Sequence, residues 1–221
     1  MYKRQEVKFL LISPGKLRKT ENYRKVRINT LNWRRKYKLS LVKRKRNINK
    51  YLIASYPEEI YLNGKNFVKI KCRGLDKNDE FTISLWAYME DRGIDEMIYR
   101  NPMVSWENQQ GSISRFTITN AGRLSFATTR GGEAEVTSHS DKILSPGKWY
   151  HLTIAYKKGI ARLFINGKQP PDGINCIKSK LFPEGEEILI GKDKWNRFFK
   201  GRIKGVKIYN IALREDEILN E

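Results

Sequence analysis

Three groups of residues in this 221-residue chain have the types and spacing to do chemistry. The first is Lys192-Asp193-Lys194-Trp195-Asn196-Arg197, where an exposed indole would stack on a sugar ring while Asp193, Asn196 and Arg197 exchange hydrogen bonds with hydroxyls. The bland reading of the same loop is that Trp195 covers a sheet edge and that Phe198 and Phe199 enter the core. The second is Glu133-Ala134-Glu135, two carboxylates on one face of a strand, the minimal geometry for acid/base work; a pair of this kind is more often a solvated face. The acids Glu184, Glu186 and Glu187 lie in a Pro/Gly-rich loop and carry less still. His139 sits beside a turn between Ser138 and Ser140 and His151 falls on a predicted strand; neither shows the pattern of a Ser or Cys nucleophile with its base, and both read as structural histidines. No catalytic residue is assigned, and an enzyme is not expected.

The third group is basic. The net charge is +20, and residues 1–50 hold 18 Lys and Arg against Glu6 and Glu21, a net +16 that leaves +4 for residues 51–221. The charge is therefore a property of an N-terminal arm, densest at Trp33, Arg34, Arg35, Lys36 and Lys38 and at Lys43, Arg44, Lys45 and Arg46. Lys and Arg neutralise phosphates, and the interspersed aromatics can stack on bases, so the arm reads as a polyanion tether or assembly anchor rather than a neutral linker. A solubilising tail is the alternative.

Cys72 and Cys176 show no metal-ligand spacing and read as free thiols, with a single disulfide left open. The apolar run Phe9–Ile12 behind Lys3 and Arg4 is too short for a signal-peptide core or a bilayer span, so neither a cleaved secretion signal nor a transmembrane segment is expected. The arm is acid-poor, which leaves a mitochondrial presequence open, although it is Lys-rich with only Ser13 and Ser40.

The elements that must position these groups are strands. In residues 148–167, Leu152, Ile154 and Tyr156 alternate with His151, Thr153 and Ala155; after Lys157-Lys158-Gly159, Ala161, Leu163 and Ile165 alternate with Ile160, Arg162 and Phe164. Period-two alternation broken by a glycine turn predicts a β-hairpin near the middle of a sheet. In residues 80–90, Phe81, Ile83, Leu85, Ala87 and Met89 share one face while Trp86 and Tyr88 load the other, which predicts a strand covered on both sides. Pro102 marks the run 97–106 as an edge or bulged strand, and residues 112–138 read as a meander with glycine turns. The acids Glu215, Asp216 and Glu217 predict a short helix over 213–220. Ten to twelve short strands with almost no helix predict an all-β, antiparallel β-sandwich over residues 55–221, preceded by an extended basic arm over residues 1–54.

Three phrases resemble the laminin-G-like jelly rolls of the concanavalin A-like lectin/glucanase superfamily: FTISLWAYME at 81–90, GKWYHLTIAYKKGIARLFINGK at 147–168 and ILIGKDKWNRFFKGRIKGVKIYNIALREDEI at 188–218. The resemblance implies that Trp149 starts a core strand, that Trp149, Leu152, Ile154, Leu163 and Ile165 are core, and that residues 201–210 form the closing strand. It implies binding modules for glycans, proteins or surfaces, virion decorations and, in a minority of members, hydrolases with a carboxylate pattern similar to E-x-D-x-E. Here Glu133 and Glu135 lack the central Asp. Some members bind calcium; the loop acids Asp91, Asp95 and Asp193 have no ligand spacing, so calcium is left open and unassigned, and no other cofactor is expected.

The reading that combines these features is a non-enzymatic structural or adhesive module, anchored through residues 1–50 to nucleic acid or another polyanion inside a larger assembly. A virion, with viral structural proteins as partners, is the assembly expected; an intracellular one is the other location. A glycan-binding lectin and a ribonucleoprotein subunit with an RNA-threading arm are the alternatives.

Overall fold

The computed structural model describes residues 46–221 apart from 76–78, 92–100, 108–112, 131–132, 173, 177–182 and 184. Trp33, Arg34, Arg35, Lys36, Lys38, Lys43, Arg44, Lys45 and Asp95 lie outside the described residues, and residues 47–221 form one compact unit. Its strands are β1 (Leu52–Tyr56), β2 (Ile60–Asn63), β3 (Val68–Lys71), β4 (Glu80–Met89), β5 (Asn101–Glu107), β6 (Ile113–Ile118) and β7 (Arg123–Arg130). They continue with β8 (Glu133–Ile143), β9 (Trp149–Lys157), β10 (Ile160–Ile165), β11 (Ile174–Cys176), β12 (Glu187–Ile190) and β13 (Lys200–Tyr209), and a one-turn helix α1 (Glu215–Ile218) follows.

Two antiparallel sheets result. The first runs β1-β13-β4-β9-β10-β11, with β2 pairing the early half of β13, and the second runs β3-β12-β5-β6-β7-β8. The expected hairpin is β9–β10, closed at Lys158-Gly159 and near the centre of the first sheet. Pro102 sits in the interior strand β5, and the ladder slips beside it, between Pro102 and Val104, so the bulge rather than the edge is realised.

The two sheets bury one core. Phe81, Ile83, Leu85, Ala87 and Met89 of β4 all face it, as do Leu152, Ile154, Tyr156, Ala161, Leu163 and Ile165 of the hairpin. Phe81 meets Trp106 edge-on at 5.7 Å and Phe126 at 6.1 Å, binding the first sheet to the second. Each such ring removes enough apolar surface from water to contribute about 1.5–3 kcal/mol.

The outer face of the first sheet is divided. One part is roofed by a second cluster in which Ala155, Phe164 and Tyr209 pack under Ile211, Leu213 and Ile218, with Ile48 and Tyr51 against them. Thr82 fastens this roof: its Oγ1 donates to the Ile211 carbonyl and accepts from the Leu213 amide, both at 2.8 Å. The Glu217 carboxylate accepts from the Arg214 amide at 2.9 Å and caps α1. The other part, around Trp86 and Tyr88, has no such roof among the described residues: Trp86 is 42% exposed.

Two expectations need correction. Trp149 is not core: it lies on the outer face, half-buried, its ring 5.6 Å from that of Tyr88. Residues 47–54, placed with the arm by the sequence reading, are part of the sandwich, because β1 pairs with β13 and Ile48 and Tyr51 pack beneath the C-terminal segment.

Candidate ligand-binding site

The loop between β12 and β13 is built by its backbone before its side chains. Gly191 leaves β12 at φ 84°, and a Cβ there would stand 2.6 Å from Leu62 Cδ1, so the chain turns where only glycine fits. The Gly191 amide donates to the Met103 carbonyl at 2.8 Å, and the Asp193 amide donates to the Arg197 carbonyl at 3.0 Å. The Asp193 Oδ1 then accepts from the amides of Trp195 at 3.0 Å and Arg197 at 3.2 Å, while Asn196 takes φ 56°.

Asp193 is fully buried, and its other oxygen faces Arg197 Nε at 2.8 Å and an Arg115 guanidinium nitrogen at 3.6 Å. Of the four residues expected to touch a ligand, Asp193 therefore organises the loop instead. Trp195 is 43% exposed, and the guanidinium carbons of Arg115 and Arg197 stand 4.6 and 4.5 Å from its ring centre. Two cations beside one ring hold the indole in place. Asn196 is exposed and Arg197 partly so.

Lys192 begins the loop over two rings, Phe67 at 4.5 Å and Phe198 at 5.4 Å, and its carbonyl accepts from Ser105 Oγ at 2.7 Å. Phe199 enters the core as expected, whereas Phe198 stays half-buried and tilts against Phe67. A cleft of about 690 Å³ opens here, lined among others by Phe67, Lys69, Glu107, Glu187 and Lys192. Glu187 pairs with Lys69 at 2.9 Å and Glu107 with Lys194, so the cleft offers donors, acceptors and an aromatic wall together. That combination suits a polyhydroxylated ring. Sequence reasoning found the loop but not the cleft, whose other wall comes from β3 and β5.

The remaining candidates are placed as follows. Glu133 and Glu135 lie on β8, with their side chains outside the described residues, as is the side chain of His139. Glu186 pairs with Arg73 at 2.7 Å. Arg46 is described and half-buried. Among the described residues no three His, Cys, Asp or Glu side chains gather, and Asp91 pairs with Lys200 at 2.8 Å.

His151 does acquire a serine. Ser84 Oγ lies 2.7 Å from its Nε2, and the Glu221 carboxylate lies 3.6 Å from the same nitrogen. A nucleophile needs access, and its base needs the carboxylate on the opposite ring nitrogen. Ser84 is fully buried and accepts from Thr153 Oγ1 at 3.2 Å, so the cluster is a structural network.

The sequence matches the family model of the concanavalin A-like lectin/glucanases superfamily over residues 62–219. Two mouse proteins are similar: pentraxin-related protein PTX3, 32% identical over 91 residues, and pappalysin-1, 27% identical over 79. The matches cover 36% and 34% of this chain but only 24% and 5% of those proteins. Domain 4 of the Geobacillus stearothermophilus arabinanase AbnA, solved with arabinotriose, superposes with a TM-score of 0.58 at 13% identity, covering 76% of this chain and 97% of the domain. The CBM40 of Ruminococcus gnavus IT-sialidase, solved with α2,3-sialyllactose, does so with 0.58 at 15%, covering 76% and 98%. A Limulus polyphemus SAP-like pentraxin gives 0.52 at 12%, covering 73% and 79%. At these identities the structures share the fold. Two sheets in jelly-roll order, and the match over residues 62–219, lead to one conclusion: the chain belongs to the concanavalin A-like lectin/glucanases superfamily.

Proposed function

We propose that the chain is a non-enzymatic binding module that takes a carbohydrate at the cleft beside loop 192–197. The observation that carries this is Trp195, an exposed ring beside two guanidiniums on a loop whose first residue, Lys192, lines a cleft with both donors and acceptors. Two modules of the same fold were solved with an arabinotriose and a sialyllactose, which supports a saccharide as the ligand class. The basic arm, in this reading, anchors the module in a polyanionic assembly, and a virion is the assembly that its charge and the family's use favour.

A glycan array tests the binding role. The full chain is expected to bind at least one oligosaccharide, Trp195→Ala to lose it, and deletion of residues 1–45 to leave it unchanged. Undiminished binding by Trp195→Ala overturns the site, and a blank array overturns the lectin reading. Incorporation into the native assembly tests the arm: it is expected to fail when residues 1–45 are removed, and unchanged incorporation refutes the anchor.

A further inference from the structure

The part of the first sheet's outer face that no described residue roofs as Ile211, Leu213 and Ile218 do carries a repeated pattern. Across β13, β4 and β9 the register aligns Lys204 with Trp86 and His151, and one step along it aligns Arg202 with Tyr88 and Trp149. Each rung is a cation followed by two aromatic rings. Rungs on one face repeat every two residues, roughly 6.8 Å, and neighbouring strands stand about 4.8 Å apart. The rings of a rung lie together, Trp86 to His151 at 5.2 Å with 32° between planes and Tyr88 to Trp149 at 5.6 Å with 51°. We infer that this face is a docking platform for a single-stranded polynucleotide, with successive bases on the two ring pairs and the backbone phosphates along Arg202 and Lys204.

Charge and ring type choose the occupant. A neutral saccharide is recognised by donors and acceptors in combination, as in the cleft beside Lys192. Among the described residues, two carboxylates stand beside this face: Glu59 lies 3.5 Å from Arg202, and Glu221, its side chain 4% exposed, is turned in 3.6 Å from His151 Nε2 and away from solvent. Donors without available acceptors select a polymer that only accepts, which a phosphate backbone does. Paired flat rings at strand spacing then favour planar bases, because every base has a face to stack. Lys204 Nζ stands 4.3 Å over Trp149 and the Arg202 guanidinium 5.8 Å over Tyr88. A cation over a partly exposed ring is held more weakly than a base on that ring, so these flexible side chains can yield the rings and take phosphates instead.

The test must separate this face from the basic arm, whose Lys and Arg would attract any phosphate chain. Fluorescence anisotropy with the full chain compares an oligothymidylate with an abasic strand of equal length and charge. The wild-type chain is expected to prefer the thymidylate by about tenfold, and Trp86→Ala/Tyr88→Ala to lose that preference while keeping its affinity for the abasic strand. Arg202→Ser/Lys204→Ser should weaken both strands and lower the slope of log K against log salt by about 1.4. Trp86 is 42% exposed, so Trp86→Ala alone leaves the core intact and carries the test, with a preference reduced at least about threefold, where the double variant melts early. Equal affinity of the wild-type chain for both strands, or a preference that survives Trp86→Ala/Tyr88→Ala, overturns the proposal. So does a heparin oligosaccharide that loses affinity with the double variant while the thymidylate does not, since the face then belongs to an anionic glycan.

Discussion

Asp193 and Arg115 stand 3.6 Å apart with side chains 0% and 2% exposed, a buried ion pair joining the loop before β13 to the middle of β6. Arg197 approaches the same carboxylate oxygen at 2.8 Å. Burying these charges is costly alone and tolerable only together. Asp193→Ala should therefore destabilise the fold by about 3–5 kcal/mol, because it removes the carboxylate that faces the guanidiniums of Arg115 and Arg197 and the acceptor for two loop amides. Urea unfolding measures this, and a loss below about 1 kcal/mol would show that the pair is dispensable.

Gly201 makes a sharper demand than the other turn glycines. It sits at φ 144° where β13 passes β4, and a Cβ would stand 2.0 Å from the Tyr88 carbonyl oxygen. Backbone cannot swing aside as a side chain can. Gly201→Ala is expected to cost about 3 kcal/mol or more, in line with strain at a special backbone position. Gly185→Ala, whose Cβ would meet nothing within 4 Å, is the matched control and should melt like the wild type.

Burial pushes the Cys72 thiol from 9.0 up to about 12, and its side chain is 2% exposed. The sign follows from linkage: the raised value means the folded state holds the proton that the unfolded state releases. Stability from this group is intact below pH 9 and falls as the pH climbs towards 12, by about 4 kcal/mol across the window. Tyr209 adds to the same alkaline loss, its hydroxyl raised first by burial and then by the Glu221 carboxylate. Thermal melting from pH 8 to 12 should show Cys72→Val losing less stability than wild type; parallel curves would refute the assignment.

The same buried thiol should be silent to alkylation. Iodoacetamide at pH 8, read by peptide mass spectrometry, is expected to leave the Cys72 peptide unmodified in the folded chain and to label it fully in denaturant. Rapid labelling of the native protein would mean that β3 opens readily.

The C-terminal roof explains why one strand pattern was harder to read than another. Phe164 and Ala155 alternate with core residues yet are buried too, since Ile211, Leu213 and Ile218 cover that side of the sheet. Trp149 shows the opposite error. Its parity already grouped it with His151, Thr153 and Ala155, away from Leu152 and Ile154, and the family resemblance alone suggested core. The cleft beside Lys192 escaped for a third reason: Phe67, Glu107 and Lys192 come from three distant segments.

By itself the sequence determined the strands, their turns and the core faces of β4, β9 and β10, because side-chain alternation and glycine turns are local properties of the backbone. It also determined that the charge sits in the arm and that Trp195 lies on a loop. Only the tertiary structure decided which groups meet: Asp193 with Arg115 across 78 positions, His151 with Ser84 across 67, and the two rungs of Lys204-Trp86-His151 and Arg202-Tyr88-Trp149. Those meetings depend on strand order and register between segments far apart in the chain. A shift of one residue in that register would send every one of those side chains to the other face.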